Sequence, residues 1–546
     1  MKKKTFVKIG AVLMSLLFAL GGFAGCNKKT VANDENTLEI YLKEAGYGKD
    51  WLYAVADAFV EEFPQYNVHI EAEMNVSRVE NMLRSGPSNT TTDLMFSDEK
   101  LFKLQAMGAN ALSGYDCILE DLTDMYNTKL PGEDVTLAEK MNPYIYDHFA
   151  IEEEVSDGVW EDRYYMFSWA NSLMGFVYNK TLFEEKKDKG VFVPRTTEEL
   201  YDVLDILKSD KFKPFINAMS TSYMGPIEYT WWAQYDGADE YGRYWEPKGM
   251  MDYDTMSQKG KLYAAQIVNQ LYRPAYGRLN QDSLDSQFTE IQAKFIVREA
   301  AIIPCGDWFE NEMRDIIAQN QAQGNRDEYA MMKTPVNSAV VEKLSFWTGG
   351  DYSEIFKRAR DVQQSSSDLA VLKEADAKLA QLIDYVDGVT SEKPGFATDQ
   401  DVAKIREARN VAFSYADGHQ AVIPVYATAK EAAKQFLLFL ATDRAQRIVA
   451  QKTYGVTMCY GYDPADGGVE LTDFARSALD IVKEAVICKH SSITIGEWGM
   501  GLNMFRISAQ RMASSGNDYV SPEDIYKDSI LSTTDYQSAL RSAGLI

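Results

Sequence analysis

The chain has 546 residues, with 56 Lys and Arg against 81 Asp and Glu and a formal net charge of −25. That balance argues against nucleic-acid binding and against direct adsorption on anionic lipid, because both need Lys/Arg-rich faces. With 46% hydrophobic residues, the chain is long and apolar enough for two or three domains with sizeable cores.

Lys2, Lys3, Lys4 and Lys8 form a basic start, followed from Ile9 to Leu20 by an apolar run of secretory-signal length. That run is too short to cross a bilayer comfortably as a helix. In GGFAGCNKKT, residues 21–30, the small residues Ala24 and Gly25 precede Cys26 and the chain then turns polar. This resembles the lipobox of bacterial lipoproteins, with Phe23 where the pattern usually has Leu. The resemblance implies a signal peptide over 1–25 and a lipidated Cys26; an ordinary signal peptide with an incidental cysteine is the alternative. Removing residues 1–25, which carry four lysines and no acid, takes the net charge to −29. Residues 26–36 then read as the lipidated cysteine and a flexible polar tether. No later run of 18 apolar residues follows, so the expected body is held at the outer face of the cell membrane by its lipid alone.

TLEIYL, residues 37–42, alternates as a half-buried strand does. Gly46 and Gly48 break the chain in KEAGYGKDW. Trp51, Leu52, Val55, Phe59 and Phe63 then share one helical face, and Pro64 ends it. NVHIEAE and TTDLMFS read as the second and third strands, which makes this the opening of an α/β domain with a mainly parallel sheet. Ligands of such sheets sit beyond the carboxyl ends of the strands, which singles out Glu44, Tyr47 and Asp98. Further on, Thr196 and Glu199 have the spacing of a capping box for a helix through ELYDVLDIL. EAAIIPCGDWFENEM, residues 299–313, predicts an apolar strand, a glycine turn and a helix start, and EYAMMKTPV another strand. Residues 338–410 are mostly helical and charged and read as an insertion. HQAVIPVYATAKEAAKQFLLFLATDRAQ predicts a strand and a long amphipathic helix. Cys117, Cys305, Cys459 and Cys488 lie far apart without a CxxC pair, leaving one or two disulfides or buried free thiols both open.

MGFVYNKTLFEE, VPRTTEEL, REAAIIPCGDW and AKEAAKQFLLFLATDRAQ…YGVTM occur in the order that resembles the extracellular solute-binding proteins (family 1 type) of bacterial carbohydrate ABC transporters. The likeness spans nearly the whole mature chain, with 338–410 atypical. It implies a two-lobed α/β fold of the periplasmic-binding-protein type II, with a hinge between lobes that close on a ligand. Residues 37–170 plus 411–465 would form the N-terminal lobe and 171–337 plus 466–546 the C-terminal lobe. Crossings are expected near residues 168–176 and near HQAVIPVY. The implied partners are a carbohydrate and the permease subunits of the transporter, for a monomer with no cofactor; aromatic candidates spread over both lobes favour an oligosaccharide over a monosaccharide.

Sugars present CH-rich faces edged by hydroxyls, so a sugar site needs flat aromatic plates beside carboxylates and amides. Such pairings occur in the sequence as Asp307 with Trp308, Trp169 with Asn171, Glu497 with Trp498, and the tandem Trp231 and Trp232. The resemblance favours Trp308 and Trp169; of Trp231 and Trp232, one is expected in the core and one exposed. An enzyme has less support. The histidines at 69, 148, 419 and 490 are scattered, and no HExxH, GxSxG or P-loop occurs. A glycosidase needs only two carboxylates and stays open on sequence alone. Calcium would require a D-x-[DN]-x-[DN]-G loop, which is missing. A peptide ligand or ferric iron remains as an alternative, but Tyr164 and Tyr165 are adjacent and would point apart on a strand.

Overall fold

The computed structural model describes residues 34–74, 77–99, 101, 104, 117–219, 223–245, 253–361, 364–415, 419–454, 459–488, 510–531, 534 and 538. The signal segment, Cys26, most of the tether and Trp498 lie outside the described residues. In chain order the described strands are β1 (Thr37–Glu44), β2 (Asn67–Met74), β3 (Leu94–Ser97), β4 (Ile151–Ser156), β5 (Val159–Arg163), β6 (Phe167–Ser168), β7 (Ser172–Asn179), β8 (Ile302–Gly306), β9 (Tyr329–Met332), β10 (Val411–Tyr415), β11 (Gln420–Val422) and β12 (Val486–Ile487).

The first sheet has the order β2-β1-β3-β11-β6. Its opening three strands are parallel, as the strand–helix–strand pattern predicts. Antiparallel β11 and β6 complete it. The helix Asp50–Glu62 buries Trp51, Leu52, Val55 and Phe59 and stops one residue before the Phe63–Pro64 bond. It packs against the helix Asp443–Thr453. The sequence suggests one long helix after β11, but the structure has two, Lys430–Leu440 and Asp443–Thr453. Thr442 explains the break: its hydroxyl accepts the Ala445 N–H at 3.3 Å and caps a new helix.

The second sheet is built on β7. β10 and then β9 pair along one edge of it and β8 along the other, all antiparallel, and β12 adds parallel to β10. The chain changes sheet between Ser168 and Ser172 and again between Tyr415 and Gln420, where the Trp169 N–H donates to the His419 carbonyl at 3.1 Å. Val411–Tyr415, grouped with the first lobe from sequence, thus pairs within the second sheet.

Residues 338–410 are largely helical, with helices at Tyr352–Phe356, Ser366–Val386 and Asp399–Asn410. They pack on the second lobe and feed directly into β10. Asp376 ties them in, accepting hydrogen bonds from Thr196 and Ser338, both at 2.8 Å. Thr196 caps its helix as predicted, accepting from the Glu199 N–H at 3.1 Å. The returning half of the capping box is displaced by one residue, since Glu199 accepts instead from the Arg195 N–H at 2.8 Å.

An exposed two-stranded ribbon, β4 and β5, turns at Asp157-Gly158. That Asp-Gly pair is its one sequence signal. Tyr164 and Tyr165 follow it and do part company. Tyr164 stacks on Tyr126 with ring centroids 4.4 Å apart, while Tyr165 donates to Glu153 at 2.8 Å. The four body cysteines are buried free thiols. Among the described residues no helix is long and apolar enough to cross a membrane.

Candidate ligand-binding cleft

Three chain segments meet where the sheets face each other. The loop after β1 carries Gly46 and Tyr47 from the first lobe, the crossing between β6 and β7 carries Trp169, and the turn after β8 carries Asp307 and Trp308 from the second. Because β7 and β8 are antiparallel, the start of β7 lies beside the carboxyl end of β8. The Asp307 N–H donates to the Leu173 carbonyl at 3.1 Å, which fixes the turn. Gly306 is required there. A Cβ at that position would lie 2.1 Å from the Trp308 ring, so only glycine lets the indole fold onto the strand end.

Tyr47 is the centre of the cluster. Its hydroxyl donates to Asp307 Oδ1 at 2.6 Å and lies 3.0 Å from Ser172 Oγ. With the phenol proton committed to the carboxylate, Ser172 is the donor in the second contact. The Tyr47 ring meets Trp169, Trp308 and His419 edge-on, at centroid distances of 5.7, 6.4 and 5.1 Å. Trp169 stacks one face on Trp51 at 4.2 Å. Asn311 donates to the Gly46 carbonyl at 2.7 Å, again joining the two lobes. Tyr47 and Asp307 are each 2% exposed, Trp169 4% and Trp308 9%.

A family model for bacterial extracellular solute-binding proteins matches residues 45–393. The chain belongs to this family. No curated protein sequence matches it. Among solved structures, an ABC substrate-binding protein from Listeria monocytogenes in complex with cycloalternan superposes with a TM-score of 0.56 at 13% identity, over 92% of this chain and 100% of that one. A chitin oligosaccharide binding protein gives 0.55 at 15% identity, over 92% and 99%. The GacH receptor of Streptomyces glaucescens, solved unliganded and in complex with acarbose, gives 0.53 at 14%, over 92% and 98%. At such identities the likeness establishes the two-lobed α/β fold. Members of the family bind solutes for transport rather than transform them.

In this solute-binding protein burial has a marked effect on Asp307. It pushes the carboxyl up to about 7, against hydrogen bonds from Tyr47 and the backbone that favour the charged form. His419 is pushed down to about 4, also by burial, and is neutral at physiological pH. Two buried polar atoms, Asp307 Oδ2 and Trp169 Nε1, have no hydrogen-bond partner among the described residues. At the mouth of the seam an opening of about 110 Å³ is lined by Glu44, Tyr47, Lys49, Asn311, Arg314 and Lys452.

Of the residues singled out from sequence, Tyr47, Trp169, Asp307 and Trp308 come together here. Glu44 stands at the mouth, 3.4 Å from Lys49. Asp98 pairs with Lys43 at 2.5 Å, also beyond the strand ends. Asn171 accepts from Ser414, stapling one crossing strand to the other. Trp231 and Trp232 correct the expectation of one exposed ring: both are fully buried in the helix Gly225–Asp236, their N–H groups donating to Pro335 O and Gln258 Oε1. That helix is buried on every face from Pro226 to Tyr235, its polar Glu228, Thr230 and Gln234 included, so no exposed side was left for either ring. Ser172, His419, Trp51 and Asn311 were missed, because each acquires its role only when distant segments meet.

Proposed function

We propose that this protein captures a carbohydrate, an oligosaccharide by preference, between its lobes and delivers it to the permease of an ABC importer. The observation that carries the reading is the grouping of Trp169, Trp308 and Asp307 at the strand ends where the lobes meet. Indole faces match the CH-rich face of a sugar ring, and a buried carboxylate accepts its hydroxyls in a fixed direction. Neighbours in the same fold are described as complexes with cycloalternan and acarbose, which supports the same ligand class. The mechanism is a population shift: the ligand stabilises the closed lobes by binding them more tightly than the open ones. ATP is hydrolysed by other subunits, in keeping with a chain that lacks a P-loop. A lipid on Cys26 and the polar tether keep the acidic body near its permease.

The test is a thermal-shift screen of residues 27–546 against linear and branched oligosaccharides, with amino acids, peptides and ferric iron as controls. A glycan at 100 times its Kd stabilises the protein by about 2.7 kcal/mol, a shift of a few degrees. Truncating Trp308 or Trp169 to Ala should remove that shift. A response to peptide or iron alone would overturn the sugar.

A further inference from the structure

We infer that the ligand carries an acidic group whose carboxylate binds in the opening at the mouth of the seam, which makes the substrate class a uronic-acid-bearing oligosaccharide. The inference deepens the carbohydrate reading and rests on it. Neither Trp169 nor Trp308 lines this opening, so what it offers a ligand is charge and not a stacking face. Three cations line it, Lys49, Arg314 and Lys452, against two carboxylates, Glu44 and Asp50. That is the reverse of the whole chain, with its 56 basic and 81 acidic side chains. Charges elsewhere on the body do not cancel the local excess, because at physiological salt they are screened beyond about 8 Å.

The cations are also unspent. Lys49 stands 3.4 Å from Glu44, and Arg314 stands 3.6 Å from Asp50 and 4.0 Å from Asp315. These are charge contacts without a hydrogen bond; Arg444, by contrast, closes on Glu62 to 2.6 Å. Lys452 has no ion pair, and none of the three side chains donates a hydrogen bond, among the described residues. A bound carboxylate supplies the planar pair of acceptors that the Arg314 fork matches and gives Lys452 a counter-ion. It also ties the lobes together, since Lys49 and Lys452 stand at helix ends of the first lobe and Arg314 at a helix start of the second. A volume of about 110 Å³ suits a substituent, whereas pockets for whole ligands begin at roughly 300 Å³. Tyr47 lines the opening and also meets Trp169 and Trp308, so the acidic unit lies next to the ring that the aromatic cluster takes.

The experiment is calorimetric titration of residues 27–546 with trigalacturonate and trimannuronate, each beside its methyl ester, which keeps the shape and removes the charge. The acids should bind at least about tenfold more tightly than their esters, the worth of a hydrogen bond to a charged group. High salt should shrink that ratio by screening. Arg314→Gln and Lys452→Gln, both at exposed positions, should each cut the ratio about threefold or more. Glu44→Gln should raise it, because a competing carboxylate is gone. Equal affinities for acid and ester overturn the inference, and the carbohydrate reading survives if Trp308→Ala abolishes both. Binding of raffinose, maltotriose or chitotriose but of neither acid overturns it as well. A preference for the acids that both Gln variants retain overturns the assignment to this opening. Titrations silent for every glycan overturn the carbohydrate reading and this inference together.

Discussion

Trp308 lies flat on the end of β8 because residue 306 has no side chain. The nearest ring atom would stand 2.1 Å from a Cβ there, so the indole must leave whenever Gly306 is replaced. Gly306→Ala is therefore expected to weaken glycan binding about as much as Trp308→Ala, on the order of tenfold or more for a lost aromatic plate. The two changes differ in that the glycine variant keeps the indole. A calorimetric titration of both would decide it, and an unaltered affinity in Gly306→Ala would show that the ring position is irrelevant to binding. This pair was readable in the sequence, because an apolar run ending in Gly-Asp-Trp predicts both a strand end and what stands on it. Trp51 was readable only as a core residue of its helix; that it would stack on Trp169, 118 positions away, is a tertiary fact with no local signal.

At the scale of elements, the helical region 338–410 was legible as helices but not as part of the second lobe. Besides apolar side chains such as Leu379 and Ile383 that join the main core, long-range polar pairs bind it there, and such pairs leave no trace in periodicity. The plainest is Arg360 with Glu198, in which the arginine Nε donates to Glu198 Oε1 at 3.1 Å and its guanidinium lies over the Tyr201 ring. Glu198 is fully buried in the first turn of the helix Thr197–Leu207. Removing the arginine leaves that carboxylate desolvated and unpaired, which typically costs about 3–5 kcal/mol. Arg360→Met should lower the unfolding free energy from a urea titration by that amount. Adding Glu198→Gln should recover much of it, because the charge rather than the packing is the penalty. Equal losses in the single and double variants would mean that packing dominates. The crossings near Trp169 and His419 were legible only through the family resemblance, since the flanking strands are buried on both faces and carry no alternating pattern. The boundary at 410 was missed because Val411–Tyr415 is likewise a short, largely apolar run and nothing local says which sheet it joins.

For the whole molecule, burial has pushed several carboxyls upward in different parts of the fold. Glu228 stands at about 8, and Asp376, Glu310 and Asp307 each at about 7. Desolvation is the leading cause in every case. A carboxyl raised in the folded chain holds its proton where the unfolded chain has lost it, from about pH 4 upward. Its stabilising effect is complete below the unfolded pKa and is lost as pH rises through the folded one. Three groups oppose this: His419, lowered to about 4, and Lys261, lowered to about 7, together with Lys343, also lowered by burial, favour higher pH. Depressed carboxyls such as Asp401, at about 2, titrate too low to matter above pH 5. The four raised acids, with Asp236 raised to about 6, outweigh one histidine and the edge of the two lysines, and the net charge of −25 adds self-repulsion as pH climbs. The melting temperature is therefore expected to be higher at pH 5 than at pH 8, by about 2–5 °C. Glu228→Gln should narrow the gap by raising the value at pH 8 while leaving that at pH 5 nearly unchanged, since the amide mimics the protonated acid. A melting temperature that rose from pH 5 to pH 8 would mean that these carboxyls ionise in the folded protein and that the burial assigned to them is relieved by water.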